Sequence, residues 1–155
     1  MTYTQAPPLT DEEIKALLKE APIARICSFN QDGTIHAAPV WFKYENGCIV
    51  LTTPRASRKA RNIKRNSNVT VLIDTEDPSS KGVIIYGKAE LENLEIDDLP
   101  WTTSLLEKYM PNEQARALAK GLYKIYKPVK ISIKPEHIAS FDYTKDDTYR
   151  AACKG

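Results

Sequence analysis

The residues richest in chemical possibility sit together. Residues 52–66 read Thr-Thr-Pro-Arg-Ala-Ser-Arg-Lys-Ala-Arg-Asn-Ile-Lys-Arg-Asn and follow the apolar run Cys48, Ile49, Val50 and Leu51. This pattern predicts a strand that ends in the hydroxyls of Thr52 and Thr53, turns at Pro54 and enters a short helix at Ser57. Arg58 and Lys59 then occupy the first helical turn. The backbone there already carries about half a positive charge, so further cations are unfavourable. An anion reverses the sign. Unpaired backbone N–H groups, the Ser57 hydroxyl and the cations of Arg58 and Lys59 would converge on one point, a donor set suited to a phosphate. The competing reading is a solvated basic face. Arg61, Lys64 and Arg65 fit it best, with Ala60 and Ile63 spaced to face the core.

The elements around this segment follow from local signals. Thr10 and Glu13 form a capping-box pair, Asp11 and Glu12 suit a helix start, Leu9 can staple to Ile14, and Pro22 ends the helix. Strands are predicted over residues 23–29, 34–44, 48–53, 69–75, 83–91 and 129–142. The second is interrupted by Pro39, which implies an edge, a bulge or a ligand-facing stretch. Asn30, Gln31, Asp32 and Gly33 form a turn, and Glu45, Asn46 and Gly47 a hairpin. Residues 76–81 are a loop, and Pro135 marks a bend or bulge. Between residues 97 and 127 the pattern turns helical, with Asp98 and Asn112 as candidate caps and a break at Pro111. Six strands in mostly antiparallel order, with inserted helices, predict a mainly β fold: a small closed or half-open barrel. One domain spans 1–155, with 1–9 and 144–155 loose.

Composition narrows the function classes. The 155 residues are 42% hydrophobic and 27% charged, ordinary for a soluble domain. The formal net charge is only +2, which weighs against nucleic acid as the main partner. Cys27, Cys48 and Cys153 are odd in number and form no Cys-x-x-Cys pair. Cys27 and Cys48 lie in strand-like runs and are expected to be buried thiols. The only histidines, His36 and His137, have no thiol pair beside them, so no metal site is expected. No apolar run approaches the ~20 residues of a membrane span, and no signal peptide is evident; a cytoplasmic protein is expected. No Ser-His-Asp or paired-carboxylate arrangement stands out.

The order of these pieces resembles the FMN-binding split-barrel superfamily related to pyridoxamine 5'-phosphate oxidase. The matching residues are Ile23, Ala24, Arg25 and Ile26; Asp32 and Gly33; His36 through Phe42; Thr52 and Thr53; Ser57, Arg58 and Lys59 with Arg61 and Asn62; and Gly87 through Leu91. The resemblance implies a six-stranded antiparallel split β-barrel and a homodimer with two flavin sites at the interface. It implies that Pro39, Val40, Trp41 and Phe42 lie along the flavin ring, largely through backbone groups. Thr52 and Thr53 would meet the ribityl-phosphate region, and Arg58 and Lys59 would grip the phosphate of FMN. Three positions depart from the oxidases themselves. Ala37 and Phe42 stand where those have an Arg and a Lys, and Gly82 where they have a flavin-holding Gln. The expected activity is therefore an FMN-dependent oxidoreductase other than pyridoxamine-phosphate oxidase, acting on a small molecule, with the cofactor carrying the chemistry. The alternatives are the deazaflavin coenzyme in the same groove, whose acidic tail Arg55, Arg61 and Lys64 would suit, and a non-catalytic FMN-binding or RNA-contacting module.

Single residues carry further expectations. Trp41 and Phe42 should point to opposite faces, one core and one beside the cofactor. Thr52 and Thr53 should likewise alternate. Trp101, Tyr109, Tyr123 and Tyr126 are core, or walls of a substrate pocket. His36, Lys88 and Glu90 are expected at the surface.

Overall fold

A helix with a completed cap opens the fold. The computed structural model describes residues 6–77 and 80–155; part of the loose lead-in and of the 76–81 loop lies outside them. Helix α1 (Asp11–Glu20) starts with the Thr10 hydroxyl accepting the Glu13 N–H at 3.2 Å, while the Glu13 carboxylate accepts the Thr10 N–H at 3.1 Å. Leu9 and Leu18 are buried in the main core, with Ile14 packed against it.

Among the described residues, seven strands form one antiparallel sheet in the order β2-β1-β5-β6-β7-β4-β3. They are β1 (Ala24–Phe29), β2 (Ile35–Val40), β3 (Lys43–Glu45), β4 (Cys48–Pro54), β5 (Asn68–Asp74), β6 (Lys81–Asn93) and β7 (Pro128–Asp142). The count exceeds the expected six because the strand foreseen over residues 34–44 is two. It breaks at Trp41 and Phe42, and its halves pair with different partners. Those halves sit at opposite ends of the sheet order, yet only Trp41 and Phe42 separate them. Three residue steps span at most about 10 Å, so the sheet must curl until its edges nearly meet. This is a split barrel. Pro39 is tolerated because β2 is an edge strand.

The inward set alternates as strands require: Ile26, Leu51, Val71, Ile85 and Ile131 are almost fully buried, with Phe42 at 0% exposure. The 45–47 hairpin forms with Asn46 at φ 51° and Gly47 at φ 75°, the left-handed pair that tight hairpins need. The bulge expected at Pro135 also forms. Tyr86 pairs with His137 and Gly87 with Pro135, leaving Glu136 as the extra residue. Gly87 permits this, since a Cβ there would lie 2.3 Å from the Lys134 carbonyl oxygen.

Helix α2 (Arg58–Arg65) follows β4 and buries Ala60 and Ile63 as anticipated, but also Asn62. The Asn62 amide donates to Ser28 Oγ at 3.1 Å and Asn30 Oδ1 at 3.0 Å, pinning α2 to β1 and its turn. Helices α3 (Leu99–Leu106) and α4 (Asn112–Ile125) form a hairpin with a small core of Leu105, Leu106, Ala115 and Ala119. It docks on the β3–β4–β7 side of the barrel. Trp101 Nε1 donates to Glu45 at 3.2 Å, Lys43 Nζ donates to Ser104 at 2.8 Å, and Lys130 Nζ sits 4.6 Å over the Trp101 ring. Asp98 stands at the N-cap of α3, as anticipated, but its side chain makes no capping bond there, and Asn112 caps nothing. Asp98 instead accepts the Glu95 N–H, and Asn112 is already helical, its amide bonded to Glu107. The C-terminal stretch expected to be loose contains α5 (Asp147–Ala152), preceded by a 3-10 turn whose Lys145 pairs with Glu13 at 2.6 Å. Cys27 and Cys48 are half-buried rather than fully buried, and Cys153 is exposed. Among the described residues no His, Cys, Asp or Glu group could hold a metal ion, and no helix is long and apolar enough to cross a membrane.

Candidate functional site

Part of the donor cluster predicted at the end of β4 assembles: Thr53, Ser57 and Lys59 come together, while Arg58 and Thr52 stay apart. Ser57 is the N-cap of α2, its hydroxyl accepting the Ala60 N–H at 3.3 Å. Thr53, buried at the end of β4, donates to Ser57 Oγ at 3.1 Å. Lys59 Nζ donates to Thr53 Oγ1 at 3.2 Å. These three side chains therefore share one corner. No described carboxylate pairs with Lys59, and burial pushes its ammonium below the usual lysine range. A half-buried cation without a counter-charge, next to two hydroxyls and the first turn of a helix, fits a phosphate.

Arg58 is exposed, makes no hydrogen bond to a described residue, and lies near enough to Asp32 to help lower that carboxyl's pKa, after the larger effect of two bonds from Thr34. Sequence reasoning gave Arg58 and Lys59 equal roles; helical geometry separates them, because neighbouring positions differ by about 100° around the axis. Thr52 also stays apart from the cluster. It faces the opposite side of β4 from Thr53, level with Lys130, and its buried hydroxyl has no partner among the described residues. Of the three extra cations, Arg61 and Lys64 are exposed, whereas Arg55 leans toward Glu95 at 3.9 Å.

Residues 39–42 occupy the seam where the barrel splits. Among the described residues, strand β2 has a neighbour only in β1, and beyond Val50 strand β4 has a neighbour only in β7. The two edges therefore face an opening in which each lacks a strand partner. Trp41 and Phe42 point opposite ways as expected, Phe42 into the core and Trp41 outward at 42% exposure.

Sequence reasoning missed Lys108 and assigned Tyr109 only a general role. Both come from the turn between α3 and α4, yet both reach the seam. Tyr109 Oη accepts the Phe42 N–H at 2.8 Å, and it lies 3.0 Å from the Phe42 carbonyl oxygen and 2.8 Å from that of Pro22. Its ring stacks on Trp41 at 4.5 Å between centroids and 11° between planes. Lys108 Nζ donates to the Phe42 carbonyl at 3.2 Å and lies 3.8 Å from the Phe42 ring centroid. Burial pushes the Lys108 amine down to about 8. These contacts join residues more than sixty positions apart, and no local pattern announces them.

A sequence model of the pyridoxamine 5'-phosphate oxidase family matches residues 10–137, most of the chain. The protein belongs to this family. No curated protein matches it in sequence, but solved structures share its fold. A conserved hypothetical protein, Rv2991 from Mycobacterium tuberculosis, superposes with a TM-score of 0.78 at 23% identity, over 92% of each chain. An F420 reductase superposes with a TM-score of 0.64 at 19% identity, over 83% of this chain and 98% of that one. A FAD-binding protein from Mesorhizobium loti also reaches 0.64, at 16% identity, over 86% of this chain and 95% of the other. The family match thus agrees with the split barrel derived above. Within the family this chain has Gly82 at a position packed shut: a Cβ there would lie 2.8 Å from the Phe141 ring. A long amide side chain reaching for a cofactor from that position would require Phe141 to move.

Proposed function

We propose that this family member is a flavin-dependent oxidoreductase that anchors FMN by its phosphate at Lys59, Ser57 and Thr53, with its ring along residues 39–42. The observation carrying this reading is the uncompensated Lys59 ammonium held on Thr53 at the first turn of α2. A dianionic phosphate supplies the missing counter-charge and accepts from Ser57 and the free N–H groups of that turn. Arg58, at the rim, adds a weaker solvent-screened attraction. The two unpartnered strand edges at the seam offer backbone groups to the polar rim of a planar ring, and Trp41 borders it. When bound, the flavin ring supplies the redox chemistry; the chain supplies anchoring, orientation and exclusion of water.

A second copy of the chain would complete the site. The uncovered outer side of the sheet exposes Phe29 at 41%, Ile35 at 66% and Tyr86 at 44%. Phe29 and Ile35 are register partners, and both line a cleft of about 210 Å³ with Cys27, Thr70 and Tyr86. A contiguous apolar patch of this kind marks an association surface. The self-complementary contact of a twofold dimer is the simplest closed solution.

The deazaflavin coenzyme remains the second reading, favoured by the exposed cations Arg61 and Lys64 on α2. Turnover on a small-molecule substrate distinguishes either reading from a non-catalytic flavin carrier. The absorption spectrum of the purified protein, followed by titration with FMN and with the deazaflavin coenzyme, tests the assignment. Saturable binding of FMN with flavin absorbance is expected. Tighter binding of the deazaflavin would select the second reading, and binding of neither would end both.

A further inference from the structure

Lys108 is an unpaired cation at the edge of the proposed ring site. Its ammonium uses one donor on the Phe42 carbonyl at 3.2 Å and makes no ion pair with a described carboxylate. The carboxylates of Glu107 and Glu45 have other partners. Glu107, its chain neighbour, is bonded by the Asn112 amide. Glu45 accepts from Trp101 at 3.2 Å and lies 3.6 Å from Lys43 Nζ. The surroundings are aromatic: the Phe42 ring centroid lies 3.8 Å from Lys108 Nζ and that of Tyr109 5.6 Å. Tyr109 in turn stacks on Trp41, whose exposed surface lines the same seam.

Purely structural needs do not account for the charge. The Phe42 peptide already has its N–H accepted, and its carbonyl approached, by the Tyr109 hydroxyl. A neutral donor would serve the remaining contact as well. Burial instead disfavours the ammonium and pushes it down to about 8. Cation–π attraction to Phe42 offsets part of that cost and leaves two N–H donors free. Charge-assisted acceptors are the strong partners for such donors.

We infer that Lys108 is a specificity-determining residue that binds the anionic group of a planar substrate, a carboxylate or a phosphate, against the wall formed by Trp41 and Tyr109. This inference rests on the flavin reading for its functional meaning, because it sets the substrate beside the strand proposed to carry the ring. The contacts among Lys108, Phe42, Tyr109 and Trp41 form without the cofactor, so the inference is testable without it.

The experiment titrates benzoate, phenyl phosphate and the neutral benzamide into the protein, with and without FMN. The indole N–H resonance of Trp41 is the readout, assigned by its absence in Trp41→Phe. Benzoate or phenyl phosphate should shift it saturably, whereas benzamide should bind at least about tenfold more weakly. Lys108→Gln keeps a donor for the Phe42 carbonyl and removes the charge. It should weaken the anions at least about tenfold and leave benzamide, the thermal midpoint and FMN affinity unchanged. The preferred anion identifies the substrate group. Anion binding unaffected by Lys108→Gln, or no anion binding at Trp41 in either form, overturns the inference. A protein that binds FMN but no anion sinks this inference alone. One that binds anions through Lys108 but no flavin sinks the cofactor reading and keeps the anion site.

Discussion

Lys59→Met should separate cofactor binding from folding. The substitution keeps the apolar stem and deletes the ammonium. Among the described residues of the free protein, the hydrogen bond lost is the one to Thr53 at 3.2 Å. Burial holds the Lys59 pKa below its unfolded value, so the native state disfavours the charge, and losing it should leave the thermal midpoint unchanged or slightly raised. The bound state differs. A charge-assisted hydrogen bond to phosphate contributes about 1.5–3 kcal/mol, so FMN affinity should fall by roughly 10- to 150-fold. Exposed Arg58 behaves as a surface partner worth about 0.2–1 kcal/mol, and Arg58→Ala should weaken FMN by no more than about fivefold. Quenching of flavin fluorescence measures both affinities, and a melt of each variant checks the fold. If Arg58→Ala costs as much as Lys59→Met, or if Lys59→Met melts normally and binds FMN as before, the cradle has been assigned to the wrong side chains.

Three further outcomes follow from other parts of the fold. Gly87→Ala places a methyl group 2.3 Å from the Lys134 carbonyl oxygen at the bulge; an overpacking cost of about 1–3 kcal/mol should lower the thermal midpoint by roughly 2–12 °C. Glu13 has its pKa lowered from 4.5 to about 2, first by the bond from Lys145 and then by the Thr10 cap. Its contribution is therefore complete above pH 4.5 and fades as pH falls toward 2. Urea melts across that window should show the loss, with a shallower slope in Lys145→Met. Ile35→Asp puts a charge on the edge strand β2, beside Phe29 on the exposed apolar face; if the proposed dimer forms through that face, sedimentation should shift toward monomer while circular dichroism stays unchanged, and a variant that remains dimeric would place the association surface elsewhere.

The parts of this fold legible in sequence are those written over a few residues. The Thr10–Glu13 cap, the Asn46–Gly47 turn, the bulge at Pro135 and the alternation of β5 and β6 each depend on neighbours within the window being read. The cap at Ser57 and the hydroxyls before it belong to the same class, which is why half of the candidate site could be named from the chain alone. The strand count fell short because nothing local marks Trp41 and Phe42 as a crossing between two sheet edges; apolar character simply continues through them. The unequal roles of Arg58 and Lys59 depend on which way α2 is rotated, and that is set by the burial of Asn62 against Ser28 and Asn30. The reach of Lys108 and Tyr109 onto Phe42 depends on how the α3–α4 hairpin docks, a packing outcome across more than sixty residues of chain. Asp98 reached the N-cap of α3 without a capping bond, and Asn112 missed its cap, for a related reason: each side chain found another partner close by, the Glu95 N–H and the Glu107 carboxylate.

Calorimetric titration of the protein with FMN and with riboflavin, identical in ring and ribityl chain and differing only in the phosphate, is the most direct test of the anion seat at α2. The account predicts that FMN binds at least about a hundredfold more tightly, the equivalent of ~3 kcal/mol of charge-assisted bonding at Lys59 and the helix start. Equal affinities for the two would contradict it.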